Sequence, residues 1–318
     1  MPFRIRFDPF CAAAPAPGHR AAGRFCARSN GRHRALAALL AAAALAAFAQ
    51  SPPPADGARA LREREAALAP RLAANEFGQP LVIESDESED TMRGDVYARV
   101  AQPYDTLATE LVRAGAWCEV LILHLNVKHC ETGPKGLAVW LGRKFEQPLE
   151  QAHRLEFSDF QAAAGADYLR VRMSAPKGPM ATRDYRIEFE AVPGEGGRSF
   201  VHLRYALSAG VMGRLAMQAY LGTFGSSKVG FSAEPPGAGA SAPRVGGARG
   251  AVERNAMRYH LAIAAYLDSL AAPPAERLPR RLAAWFDATE RYPAQLHEVS
   301  REEYLQMKQN ETRRTGAP

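Results

Sequence analysis

Between Leu123 and Leu207, apolar and polar residues alternate with a period of two in six successive segments. From Gly250 to Leu270 the period changes to that of a helix. The segments are Leu123–Cys130, Leu137–Phe145, Arg154–Phe160, Tyr168–Met173, Asp184–Ala191 and Ser199–Leu207, separated by short stretches rich in Gly, Pro and Ala. Connections this short cannot carry parallel crossovers, so the pattern predicts an antiparallel sheet. Reading alternate residues gives one dry face: Leu155, Phe157, Leu169, Val171, Met173, Tyr185, Ile187, Phe189, Val201, Leu203, Tyr205 and Leu207. The other face carries Arg154, Glu156, Arg170, Arg172, Asp184, Arg186, Glu188, His202 and Arg204, and reads as the wet side.

The helical run GAVERNAMRYHLAIAAYLDSL places Val252, Ala256, Tyr259, Ile263, Leu267 and Leu270 on one stripe, with His260 at its edge. It reads as the lid of a one-sided sheet. In its polar opening, Glu253 is expected to pair with a strand arginine, Arg254 and Arg258 to be solvated, and His260 to be a satisfied core residue.

Upstream, Pro80–Ser85 and Gly94–Val100 read as strands flanking the acidic run Asp86–Asp90. That run lacks the alternating Asp/Asn and glycine of a calcium loop and reads as a solvated turn. Pro103–Arg113 and Ala114–Leu121 follow as two short helices. Leu61–Asn75 is a short helical candidate interrupted by Pro70, within a linker from residue 50 to 79. Val211–Phe224 has helical spacing, Ala233–Arg249 is a low-complexity loop, and Leu278, Leu282, Trp285 and Thr289 mark an amphipathic helix beyond Pro273-Pro274. Residues 273–318 are expected to form a helical extension to a domain spanning residues 80–272.

The first 49 residues read as a signal peptide: a basic stretch to Arg34, then the uncharged run Ala35–Ala49. That run is shorter than the ~20 residues a membrane span requires. The formal charge of +6 resides in this leader; the remainder holds 33 basic and 33 acidic residues. A nucleic-acid reading therefore fails, and the expected location is periplasmic or secreted after cleavage near Ala49. Beyond the leader the thiols are Cys118 and Cys130, an even count that in an oxidising compartment suggests a disulfide. The alternative is two reduced, buried small hydrophobes.

His124 and His129 are separated by an odd number, so a regular strand would point them to opposite faces rather than at one metal. Gly225-Ser226-Ser227-Lys228 lacks the spacing of a phosphate loop, and no nucleophile elbow, HExxH or dinucleotide fingerprint occurs. Neither a metal nor a cofactor is expected.

The order strand, two short helices, about six antiparallel strands and a long helix resembles the START-like, or helix-grip, superfamily over roughly Pro80–Ala272. The strings GDVYARVAQPYDTLATEL, WCEVLILHLNVKHC and GARGAVERNAMRYHLAIAAYL look like an uncharacterised, exported bacterial branch of it. The resemblance implies an α+β helix-grip fold, a curved antiparallel sheet around a C-terminal helix, with a cavity for a hydrophobic small molecule or lipid. Its walls would be the dry-face residues Leu155 to Tyr205 named above, together with Met257, His260, Ile263 and Leu267. Met173, Tyr185 and Tyr205 would shape it or give a single hydrogen bond, or else fill core. Two alternatives follow: a cyclase- or hydrolase-type enzyme on an aromatic or lipid substrate, as in some superfamily members, or a cell-envelope interaction protein with a filled core.

Overall fold

Apolar residues face one another in a continuous row across the sheet. Ile83 lies opposite Val96, Val96 opposite Leu203, Leu203 opposite Phe189, and Phe189 opposite Val171. The computed structural model describes residues 55–224, 228–234 and 243–315. In chain order its elements are α1 (Ala55–Ala73), β1 (Leu81–Glu87), β2 (Thr91–Val100), α2 (Tyr104–Glu110), α3 (Ala114–Leu121), β3 (Val127–Gly133), β4 (Gly136–Leu141), β5 (His153–Phe157), β6 (Asp159–Ala164), β7 (Leu169–Lys177), β8 (Thr182–Pro193), β9 (Ser199–Ala209), α4 (Val211–Phe224), α5 (Gly247–Ser269), α6 (Pro274–Thr289), α7 (Pro293–Leu296) and α8 (Arg301–Thr315). The expected signal peptide and the Gly225–Ser227 turn lie outside the described residues.

The main sheet is antiparallel throughout, in the order β1-β2-β9-β8-β7-β6, and a smaller sheet has the order β3-β4-β5. The segment read as one strand from Arg154 to Phe160 breaks at Ser158, which hands the chain from the small sheet to the large one. Likewise Leu123 to Asn126 continue the turns after α3 rather than opening a strand. The amides of Leu123 and His124 bond back to the carbonyls of Val120 and Leu121, and pairing begins at Val127. The α+β helix-grip class read from the sequence is the class observed.

Helix α5 crosses the dry face over β2 at Gly94, where an added Cβ would come within 2.7 Å of the Val252 carbonyl. Only glycine allows that approach. The helix is not a lid with a wet side, however. Val252, Ala256, Tyr259 and Ile263 are buried, but so are Arg254, Arg258, Leu261, Ala262 and Tyr266, because α3 and α6 cover what the sheet does not. A helix buried on all sides sits inside a domain rather than on it.

Three expectations change accordingly. Glu253 pairs with no strand arginine; it is fully buried and accepts the amides of Phe231 (2.5 Å) and Ser232 (2.9 Å) and the Ser85 hydroxyl (2.5 Å). Arg254 and Arg258 are not solvated: Arg254 donates to the Val229 carbonyl at 3.2 Å, and Arg258 pairs with Glu298 at 2.8 Å. The ends of the expected loop are ordered by backbone bonds, Gly230 N to Val245 O at 2.6 Å and Val245 N to Ser232 O at 2.9 Å. Residues 235–242 lie outside the described residues.

Within the expected extension, residues 273–315 pack into the domain. Leu282, Trp285, Phe286, Tyr304 and Met307 belong to the same hydrophobic cluster as the sheet interior. The short helix expected within 50–79 is longer than the reading gave it: α1 runs 19 residues from Ala55 through Pro70 and lays Ala58, Leu61, Leu68 and Leu72 on the outer face of the sheet. There they meet Val82, Tyr97, Tyr168, Val192 and Phe200, so the face read as wet is partly covered.

Candidate functional site

The site implied by the resemblance is the space between the sheet's dry face and α5. Leu169, Val171, Met173, Tyr185, Ile187, Phe189, Val201, Leu203 and Tyr205 of the main sheet and Met257, Ile263 and Leu267 of α5 belong to one buried cluster, which also takes in Leu155 and Phe157 from β5 of the smaller sheet. His260 is buried with them. Among the described residues part of this space is closely packed. Leu169, Val171, Leu203 and Met257 are 0% exposed, so no water-sized gap lies beside them. Trp117 of α3, fully buried, closes edge-on against Phe189 at 6.1 Å between ring centroids. Where Val100, Leu107, Phe189, Val201 and His260 converge, a cavity of about 10 Å³ remains. That is room for about one water.

Polar groups enter the interior at few points. His124 lies buried with Nε2 3.3 Å from Asn255 Oδ1, and its Nδ1 accepts the Asn126 amide at 3.1 Å. Asn255 also reaches the Tyr205 hydroxyl, and Tyr185 bonds Thr182 at 2.8 Å. Burial holds the His124 imidazole well below its usual range, with the Arg258 charge adding to the effect. Burial likewise brings His260 down to about 4, with Arg291 assisting, and raises Tyr185, Tyr205 and Tyr259. These groups are therefore neutral at neutral pH. They can orient a hydroxyl or carbonyl, but none is poised near 7 as an acid–base catalyst requires. His129 packs tilted against Trp140 at 4.9 Å between ring centroids, and among the described residues no group of side chains is placed to hold a metal ion. Cys118 and Cys130 are joined by a disulfide, pinning α3 to β3.

A sheet wrapped on a buried helix, entered through two short helices, decides the architecture. The fold is START-like. In it a sheet and a helix face each other across an apolar interior. No protein-family model matches the sequence, and no curated protein matches it. Among solved structures, a truncated norcoclaurine synthase from Thalictrum flavum is 13% identical, with a TM-score of 0.31 over 44% of this chain and 91% of that one. A START superfamily protein from Mycobacterium smegmatis is 11% identical, with a TM-score of 0.26 over 37% of this chain and 76% of that one.

The START-like frame also carries a polar constellation that the sequence reading assigned to solvent. On the outer face His202 lies between two carboxylates, Nε2 2.7 Å from Asp95 and Nδ1 2.9 Å from Glu190, and is itself buried. Burial alone would lower its pKa; the bonds to Asp95 and Glu190 outweigh that and raise it. Tyr97 stacks on the imidazole at 4.4 Å, and Arg64 of α1 sits 4.9 Å above the Tyr97 ring. Arg204 donates to Asp95 at 2.7 Å. The signal was present as alternating charges at 188, 190, 202 and 204, but the covering helix was not assigned to that face.

Proposed function

We propose that this chain is an exported, non-enzymatic binding protein of the cell envelope whose interior is packed core and which engages its partner from outside. The observation that carries this is the close packing of the interior. A small-molecule site occupies ~300 Å³ or more, against about 10 Å³ in the cavity beside His260. Opening that volume in a close-packed core at ~24 cal/mol per Å³ costs about 7 kcal/mol, comparable to the 5–15 kcal/mol that holds a typical domain folded. The neutral interior supports the non-enzymatic reading. Export is supported by the leader pattern and by the disulfide, which persists in oxidising compartments.

A second reading, uptake of a hydrophobic small molecule or lipid by opening of the grip, draws on one observation. Tyr185, Tyr205 and Asn255 form a polar end to an otherwise apolar interior, the usual composition of such a pocket. Native mass spectrometry of protein purified from its own envelope fraction separates the two. The expected spectrum is the chain cleaved near Ala49 without an adduct; a persistent apolar adduct overturns the filled-core reading, and an uncleaved N-terminus overturns export.

A further inference from the structure

The free edge of β1 is bordered by a cleft of about 500 Å³ whose wall is almost wholly polar. Five arginines line it, Arg64 and Arg71 from α1, Arg93 from β2, Arg204 from β9 and Arg249 from α5, against the carboxylates Glu84, Asp86 and Asp95. The lining carries a surplus of two positive charges.

The distribution of that charge matters more than its sum. Sheet register places Glu84 directly opposite Asp95, a like-charge pair that on its own opposes folding. Each is neutralised locally. Glu84 takes Arg64 and Arg71, the latter at 2.6 Å, while Asp95 takes Arg204 and His202, both at 2.7 Å. Two guanidinium groups remain weakly engaged. Arg93 approaches Asp95 only to 4.0 Å, and Arg249 donates Nε to the Ser85 hydroxyl at 2.8 Å and lies 3.7 Å from Glu234. Arg249 also stands in the first turn of α5, which carries no acidic residue and no side-chain cap. A cation at that helix end opposes the dipole, and an anion beside it would reverse the sign.

From this juxtaposition we infer that the cleft binds a small polar dianion, a phosphate monoester or a dicarboxylate, held chiefly by Arg93 and Arg249. Planar guanidinium groups match the paired oxygens of either ligand. The volume suits a small molecule, and the polar wall excludes an apolar one. The adjoining groove toward the β1–β2 turn holds Glu87, Glu89 and Glu234, which confines the anion to the arginine end. This inference goes beyond the filled-core reading and stands whether or not the interior admits an apolar molecule.

Isothermal titration of the leader-less chain at low salt, with glycerol 2-phosphate and with succinate, tests it. Saturable binding of at least one ligand is expected, weakened about tenfold or more in Arg93→Gln and in Arg249→Gln, and by added salt. Both side chains are partly exposed, so the variants should unfold at the wild-type temperature when ligand is absent. Binding by neither ligand at millimolar concentration overturns the inference, as does binding that both variants leave unchanged.

Discussion

Replacing Glu311 by Gln should destabilise the protein by about 3–5 kcal/mol at pH 7, the cost of stripping the partner from buried charge. Two ammonium groups share that one carboxylate. Lys128 Nζ donates to Glu311 Oε1 at 2.9 Å and to the Leu125 carbonyl at 3.0 Å. Lys308 Nζ donates to Glu311 Oε2 at 2.9 Å and to the carbonyls of Val127 (2.6 Å) and His124 (2.9 Å). Lys308 is 0% exposed, and burial, offset in part by Glu311, brings its pKa down from 10.5 to about 8. In the variant both charges lose their counter-ion and must deprotonate or drag α8 into water. The sign with pH follows. A lysine whose folded pKa lies below its unfolded value binds fewer protons when folded, so stability rises with pH between about 8 and 10.5. Without Glu311 that window extends to lower pH, and the penalty should shrink by pH 9. Urea denaturation of the leader-less chain at pH 7 and pH 9, with tyrosine fluorescence and circular dichroism as paired probes, measures both effects. A variant within ~1 kcal/mol of wild type at pH 7 would refute the view that this cluster fastens α8 to the domain.

Two further outcomes follow from the interior. His260, ordinarily near 6.5 but held at about 4 by burial and then by Arg291, is neutral when folded. Its stabilising contribution is fully present above 6.5 and is lost as pH falls toward 4, up to about 3 kcal/mol at 1.36 kcal/mol per pH unit. Urea midpoints for His260→Leu should show a flatter acid limb from pH 6.5 to 4; a limb as steep as wild type would place the acid sensitivity elsewhere. Non-reducing peptide mapping should recover Cys118 and Cys130 in one linked species, and Cys118→Ala/Cys130→Ala should cost roughly 2–4 kcal/mol for so short a loop. Recovery of both as free thiols would overturn that assignment.

The dry face was legible because a strand's side chains alternate strictly: once Val171, Phe189 and Leu203 are apolar in register, their neighbours must face out. The identity of α5 was legible for the same reason, in its own period. What covers the remaining surfaces was not. Arg254 and Arg258 look solvated in a helical projection, and only distant segments change that: Val229 takes the first, and Glu298 the second. Lys308 and Glu311 sit in a stretch whose local composition is that of an exposed helix, and their burial depends on contacts 181 residues away. Pro70 suggested a break, yet α1 passes through it: the last turns of a helix tolerate the lost amide when Leu68 and Leu72 are both anchored. Whether the interior is open could not be read at all. Volume depends on how Trp117 and Phe189 meet, which period does not specify.

The placement of α1 gives the outer face its significance. In a two-layer grip that face would be solvated, and a row running Glu84, Asp95, Arg204, Glu188, Arg172 would be an ordinary surface ladder of little energetic weight. With α1 laid across it, Asp95 and His202 are nearly removed from water, and their mutual attraction must offset desolvation before it adds stability. An apolar row of equal volume would serve the fold at lower cost. Holding Glu84 opposite Asp95, a histidine between two carboxylates, and Arg93 at 4.0 Å from its nearest acid is costly arrangement for a structural ladder. It is economical for an anion site, because Arg64, Arg71 and Arg204 satisfy the acids and leave Arg93 and Arg249 for the ligand. The inner face, by contrast, spends its side chains on packing. The chemistry capable of discriminating among ligands therefore lies outside the grip, at the edge of β1.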